Sequence, residues 1–435
     1  MKRIRPSISP TIILVGIVVL LAAALIGVLI YLKNQPPQQR GFPPLVEIVA
    51  LEPDSAKWGV NFPNEFSTFV QTVENNKRTK YGGSEKFSKL EADTRLVTLF
   101  AGYPFSLEYN EERGHEHALE DVRAIKRVNA QTHATCYSCK SSDNPKLWTE
   151  MGMAAYDKMF FSEMTPKLNN AIGCANCHEA ATMKLVVTNP ALDEALKAQG
   201  KDWHTFTRQE MRTVVCGNCH VEYYFKGEDK YLTFPWADGT KIEEIVSYYD
   251  QMGFNDWIHP DSGAQLLKMQ HPEYEMYTAD STHYKAGVAC ADCHMAYLRD
   301  GASKYTDHNI RSPLLHPEDS CGVCHTDVTY VVERVEIIQN SVHETLLATE
   351  DALVAAINAI KAAGVATNVD ATLLDEARQL HRQAQARWDF VAAENSMGFH
   401  NSQEALRILA AATDLARQAQ LKAVQAAGSA AVLNK

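Results

Sequence analysis

Positive charge is scarce in this sequence. Its 42 lysines and arginines stand against 53 aspartates and glutamates, a net charge of −11, which argues against nucleic acid as a general partner. An anionic substrate would have to be drawn in by a local positive site. Extended β-structure is scarce as well. Residues 45–325 carry only short β-branched runs, with no strand ladder and no sustained periodicity, a pattern that fits short helices and loops. Unpaired cysteine is absent. All ten cysteines fall in C-x-x-C pairs and none is left over.

One uncharged run is long enough to span a bilayer, Thr11–Leu32. Lys2, Arg3 and Arg5 precede it and Lys33 comes after, which puts the N-terminus in the cytoplasm and the rest of the chain on the extracytoplasmic, periplasmic face. A cleaved signal peptide is the rival reading, but its apolar core would be shorter and no clean A-x-A site is present. The expectation is an uncleaved membrane anchor over 1–33. Residues 34–44, NQPPQQRGFPP, read as an extended linker.

The five pairs are Cys136/Cys139, Cys174/Cys177, Cys216/Cys219, Cys290/Cys293 and Cys321/Cys324. The residues directly after them are Lys140, His178, His220, His294 and His325. This spacing suits c-type haem attachment. Two thioethers tether the vinyl groups and the adjacent imidazole swings under the iron. With haems in place, much of the core around these motifs would be haem. Structural disulfides give no reason for the adjacent histidine, and zinc sites set histidine well apart from cysteine. Twelve further histidines are ample to complete four bis-His haems, but spacing alone does not pick the four. The first motif differs, because a lysine ligand must bind as the neutral amine. If its far side is open, that iron can take a substrate.

The motifs AGYPFSLEYNEERGHEHALEDVR, CYSCKS, CGNCHVEYYF, FPWADG, KMQHPEYE, ACADCHM, YTDH and MGFHN resemble those of the pentahaem, ammonia-forming cytochrome c nitrite reductases, over roughly residues 90–410. The resemblance implies five covalently bound haem c groups, with Lys140 the proximal ligand of the active haem. It implies Arg127 (with Arg123 the alternative), Tyr223 and His271 as active-site residues. It implies His115, His283, His308 and His400 as distal haem ligands. It also implies a calcium ion held by the Glu222 carboxylate, the backbone carbonyls of Tyr223 and Lys268, and the Gln270 side chain, hard oxygen donors that suit calcium. The implied activity is six-electron reduction of nitrite to ammonium. The implied partners are a second copy of the chain, paired through C-terminal helices, and a membrane multihaem quinol dehydrogenase as electron donor. Two alternatives stay open: a membrane-tethered electron carrier without substrate chemistry, and the same enzyme type acting on hydroxylamine, nitric oxide or sulfite.

The expected fold is mainly α. A transmembrane helix precedes a pentahaem core of short helices and loops over 45–330, and long helices occupy 331–435. The first long pattern runs from about Val331 to Gly364. The second has Asp370 as a candidate N-cap and is broken at Gly398. The third is capped by Asn401 or Ser402.

Overall fold

The computed structural model describes residues 9–34 and 44–428. The chain divides into two units, 1–47 and 48–435. In the first, α1 (Pro10–Asn34) is one continuous helix. Its continuously described side chains run from Leu14 to Val28. Among the described residues no helix is long and apolar enough to cross a membrane. The linker expected at 34–44 lies almost wholly outside the described residues.

The second unit is mainly helical. Up to about residue 327 its helices are short, none longer than the ten residues of Ile242–Gln251. Three two-stranded antiparallel hairpins interrupt them, which the sequence pattern does not announce. They pair Tyr224–Lys226 with Tyr231–Thr233, Trp257–Ile258 with Gln265–Leu266, and Tyr297–Asp300 with Ser303–Thr306. Their strands are two to four residues long, too short to display an alternating pattern.

Three long helices complete the unit: α2 (Val328–Gly364), α3 (Ala371–Ala393) and α4 (Ser402–Ala426). Each starts on a side-chain cap. Asp327 accepts from the Tyr330 N–H, Asp370 from those of Thr372 and Leu373, and Asn401 from that of Glu404. Such caps contribute ~1 kcal/mol each. On α4, Ala412, Ala416, Ala419 and Ala423 are fully buried. Their three- and four-residue spacing places small side chains on one face, which allows close helix approach.

The end of α3 differs from the expectation. The helix stops at Ala393, not at Gly398, because Glu394 is extended and turns its carboxylate onto Gly398 and His400. Gly398 still serves the turn. Its φ of +78° suits glycine, and a Cβ there would sit 2.6 Å from the Val342 side chain.

α3 also has a function that its apolar periodicity hides. One of its faces is buried and polar. Arg382 donates to Asp250, to the Gln265 carbonyl and to the Phe254 carbonyl at 2.7–2.8 Å. Gln385 donates to the Leu99 carbonyl at 2.7 Å. Asp389 accepts from the Lys268 ammonium at 2.9 and 3.0 Å and from the Met269 N–H at 2.8 Å. This face fixes segment 265–270, which includes Lys268 and Gln270 and leads directly into His271.

Candidate active site

The five C-x-x-C segments sit on short helical turns. In three of them the histidine N–H bonds back to the first cysteine's carbonyl at 2.9 Å: His178 to Cys174, His220 to Cys216 and His325 to Cys321. The fourth, Cys290–His294, is itself a helical turn. A single turn therefore carries both thiols and the imidazole of each motif. None of the ten cysteines is joined to another in a disulfide. The motifs also touch one another. The Cys139 thiol lies close enough to that of Cys219 to influence its ionisation, and so does Cys290 to that of Cys216. Cys293 lies in the field of Cys321.

The fifth motif lies nearer the surface than the other four. Cys324 is exposed, whereas the other nine cysteines, Cys321 among them, are partly buried. The reason is its place in the chain. Cys324 lies on the surface segment that joins the short helix Pro317–Ser320 to α2, and its neighbours Val323, His325, Thr326 and Asp327 are exposed with it. Its spacing to Cys321 and His325 matches that of the other motifs.

Each of the four motif histidines has a distal histidine ring close by, and His220 has His271 at 6.5 Å as well. The ring centroids of His115 and His220 are 6.3 Å apart, those of His178 and His308 6.2 Å, those of His283 and His325 6.4 Å, and those of His294 and His400 6.3 Å. An iron between two imidazoles needs a similar gap. Metal–nitrogen bonds of about 2 Å and ring nitrogens ~1.1 Å from each centroid, from ring bonds of about 1.33 Å, sum to roughly 6.2 Å.

Hydrogen bonding sorts the histidines the same way. In His178, His308, His294 and His400 the Nδ1 atom is engaged, by the Met183, Thr306 and Arg311 carbonyls and the Glu394 carboxylate respectively, at 2.8–3.1 Å. That leaves Nε2 to face the partner ring, the arrangement usual for a metal-binding imidazole. By contrast, His117, His259 and His381 have both ring nitrogens occupied by protein groups. His117 is thereby set apart from His115.

No histidine stands in the Lys140 position. Lys140 Nζ lies 3.2 and 3.1 Å from the two oxygens of Glu112. Burial works most strongly against the ammonium, but the charge and hydrogen bond of Glu112 together with Cys139 and Cys219 outweigh it, and the lysine pKa is raised. The Lys140 charge in turn pulls the Glu112 carboxyl down to about 2, against burial and with help from His271 and Arg127. Glu112 thus lies among Lys140, His271 and Arg127. It falls inside the NEERGHEH stretch, yet nothing in its spacing marks it as a site residue.

Arg127 and Arg123 part company. Arg123, in the last turn of helix Ala118–Ala124, donates to the Thr165 and Leu168 carbonyls, both at 2.8 Å. The helix ends there, and the chain runs on extended from Ile125. The Arg127 guanidinium lies 3.9 Å over the Phe105 ring, its Nε is buried without a partner, and its charge is felt at Cys136 of the first motif. Tyr223 shares that environment. Burial, then Cys139, Cys136 and Glu112, push its phenol well above the ordinary range. His271 Nδ1 is 3.8 Å from Glu273 Oε1, and the same carboxylate lies 3.7 Å from His220 Nδ1. Burial opposes the Glu273 charge, but these two histidines hold its pKa well below the ordinary value.

The calcium residues are contiguous. Glu222 is fully buried and accepts from the Tyr249 hydroxyl at 2.9 Å and the Gln270 N–H at 2.6 Å. The Gln270 amide lies 3.3 Å from the Lys268 carbonyl, and Tyr223 adjoins Glu222. Burial, with Glu275 and Asp256 nearby, pushes the Glu222 carboxyl well up. A cation is what would restore its charge. Among the described residues no group of three or more His, Cys, Asp and Glu is arranged to hold a metal ion. A calcium site here would rest on one carboxylate and neutral oxygens.

Comparison with known proteins decides the family. The cytochrome c552 family pattern matches residues 54–435. The chain is 37% identical over 416 residues to the cytochrome c nitrite reductase subunit NrfA of Nitratidesulfovibrio vulgaris, covering 86% of this chain and 79% of that one.

The chain belongs to the cytochrome c nitrite reductase family.

Cytochrome c-552 of Parabacteroides distasonis is 42% identical over 392 residues, covering 86% of this chain and 77% of its own. The solved cytochrome c nitrite reductase of Desulfovibrio desulfuricans superposes with a TM-score of 0.83 at 34% identity, covering 90% of each chain, and its catalytic subunit carries two calcium sites. As a cytochrome c nitrite reductase family enzyme, this chain has haem c as its implied cofactor.

Proposed function

We propose that this protein reduces nitrite to ammonium at the haem carried by Cys136 and Cys139, with Lys140 as that haem's protein ligand. The observation that carries the reading is the partition of the histidines. Four motif histidines each face a distal histidine across a gap suited to iron, whereas the Lys140 motif has none of its own. The residues present therefore fit five haems, four of them bis-His. When bound, the haems would relay the six electrons each nitrite needs from an external donor and would provide an iron at which the substrate is reduced.

The surrounding side chains do the rest. Arg127 brings an unpartnered guanidinium next to the first motif, local positive charge for an anion within an acidic protein. Glu273 stays a carboxylate 3.8 Å from His271 Nδ1, which leaves His271 Nε2 as the ring nitrogen free to contact a substrate oxygen. The Tyr223 phenol keeps its proton at Oη and donates a hydrogen bond. Lys140 must give up the proton that Glu112 now stabilises before its Nζ lone pair can bind metal. Calcium, held by Glu222, Gln270 and the Tyr223 and Lys268 carbonyls, would add positive charge beside Tyr223 and His271.

The setting we propose is the periplasmic face of the cytoplasmic membrane, with α1 as anchor and a membrane multihaem quinol dehydrogenase as donor. Pairing of two copies through the C-terminal helices is supported by Tyr330 and Ile337, which are exposed on α2. The deciding experiment combines ammonium production from nitrite, driven by a reduced dye, with low-temperature electron paramagnetic resonance. Four low-spin haems and one high-spin haem perturbed by nitrite are expected. Five low-spin haems indifferent to nitrite, with no ammonium formed, would instead make the protein an electron carrier.

A further inference from the structure

We propose that Glu394 holds the haem between His294 and His400 at low reduction potential. This rests on reading those two histidines as axial ligands. Glu394 is the residue at which α3 ends, and its side chain is fully buried. One oxygen accepts from the Ser396 hydroxyl at 2.7 Å and the Gly398 N–H at 2.8 Å. The other accepts from His400 Nδ1 at 2.9 Å. Both oxygens are thus fixed, and the carboxylate is aimed at the ring atom opposite the one that faces His294.

The other hydrogen-bonded histidines of the four pairs lean on backbone carbonyls. His294, across the same gap, uses that of Arg311, while His178 and His308 use those of Met183 and Thr306. Glu273 approaches His220 Nδ1 only to 3.7 Å and is shared with His271, so His400 is the one member of the four pairs whose Nδ1 is within hydrogen-bond distance of a carboxylate, at 2.9 Å. A carboxylate there pulls the N–H proton and makes the ring a stronger donor through Nε2. A stronger donor and a buried negative charge both favour ferric over ferrous iron. The position gives this a use. The Cys290–His294 turn packs against helix Arg208–Val214, which leads into the third motif, and against helix Pro317–Ser320, which leads into the fifth, so this haem would stand between the other two. A carrier that holds its electron weakly passes it on.

The test is a potentiometric titration of the holoprotein, following each haem by absorbance and electron paramagnetic resonance. In Glu394→Gln one bis-His haem should shift upward by at least tenfold in its redox equilibrium, about 59 mV for a one-electron couple. The other three should not move. Unchanged potentials would overturn the proposal. Ser396→Ala removes a contact that holds the loop but leaves the carboxylate on His400, and no such shift is expected. An equal shift in that variant would assign the effect to loop packing and reject the charge. His400→Ala identifies the haem by the bis-His signal that disappears. If none disappears, the ligand reading falls, and this proposal with it. In the unmodified protein the haem so identified should be the last of the four bis-His haems to reduce. Reduction ahead of the other three would sink the proposal even if Glu394→Gln failed to mature.

Discussion

At the scale of single residues, the two arginines near the first motif make a clean contrast. Arg127→Ala should lower kcat/KM for nitrite on the order of 10²-fold, the usual cost of losing one charge-stabilising donor. Its cost in thermal stability should be confined to the Phe105 contact, about 0.5–1 kcal/mol. Arg123→Ala should do the reverse, losing about 1–2 kcal/mol with its two carbonyl contacts while KM holds. Steady-state kinetics and a melting curve on both variants check the pair. A second outcome concerns calcium. Removing it by chelation, or by Glu222→Gln, should lower turnover while five haems stay attached, as read by metal content, haem absorbance and activity. Normal turnover and metal content in the variant would reject the site. The haem ligands are legible in the sequence because covalent attachment forces cysteine, cysteine and ligand into five consecutive positions. Their burial is not legible, since the spacing of Cys321, Cys324 and His325 matches the other motifs although Cys324 lies at the surface. The carboxylates are hidden too. Glu112 reaches Lys140 from 28 residues away, and Asp389 reaches Lys268 from 121. Only tertiary packing makes either a neighbour, and a lone acidic residue in a polar stretch looks solvated.

At the scale of elements, α2 is tied down by an unusual acidic contact. Glu350 is buried. It accepts from the Trp388 indole at 3.2 Å, and its second oxygen lies 3.0 Å from Arg95 without hydrogen-bonding geometry. Burial first, and then Asp93 beside it, push its pKa up to about 9. Because the folded state holds this proton and the unfolded state releases it near 4.5, the native protein binds more protons between those values. Stability should fall as pH rises from about 5 to 9. Glu350→Gln keeps the shape without the proton, so its melting temperature should decline less over that range. An identical decline in both proteins would show that Glu350 does not carry the effect. The extents of α2 and α4 agree closely with their caps and periodicity. The end of α3 does not, because the glycine suggested a break at 398 whereas the carboxylate of Glu394 imposes one at 393. Nor does periodicity reveal that Arg382, Gln385 and Asp389 form a polar docking face. A helical wheel treats charged side chains as outward-facing, and here they are sunk among backbone carbonyls.

At the scale of the whole molecule, residues 48–435 form one compact unit that holds every haem motif and all three long helices. A chain starting at Ile48 should therefore melt at the same temperature as the full protein and carry the same haem content. It should stay in the soluble fraction where the full chain sediments with membranes. Equal partitioning of the two would reject α1 as the anchor. The contacts between motifs have a consequence for biogenesis. Cys219 and Cys290 meet partners 80 and 74 residues away in the chain, Cys139 and Cys216. A chain that packed first and received its haems later would bring two motifs' thiols together in an oxidising compartment, where they would cross-link and become useless for attachment. Maturation must therefore outrun folding. When the chain is secreted without haem-attachment machinery, mass spectrometry of non-reduced peptides should find Cys139 joined to Cys219 rather than to its near neighbour Cys136.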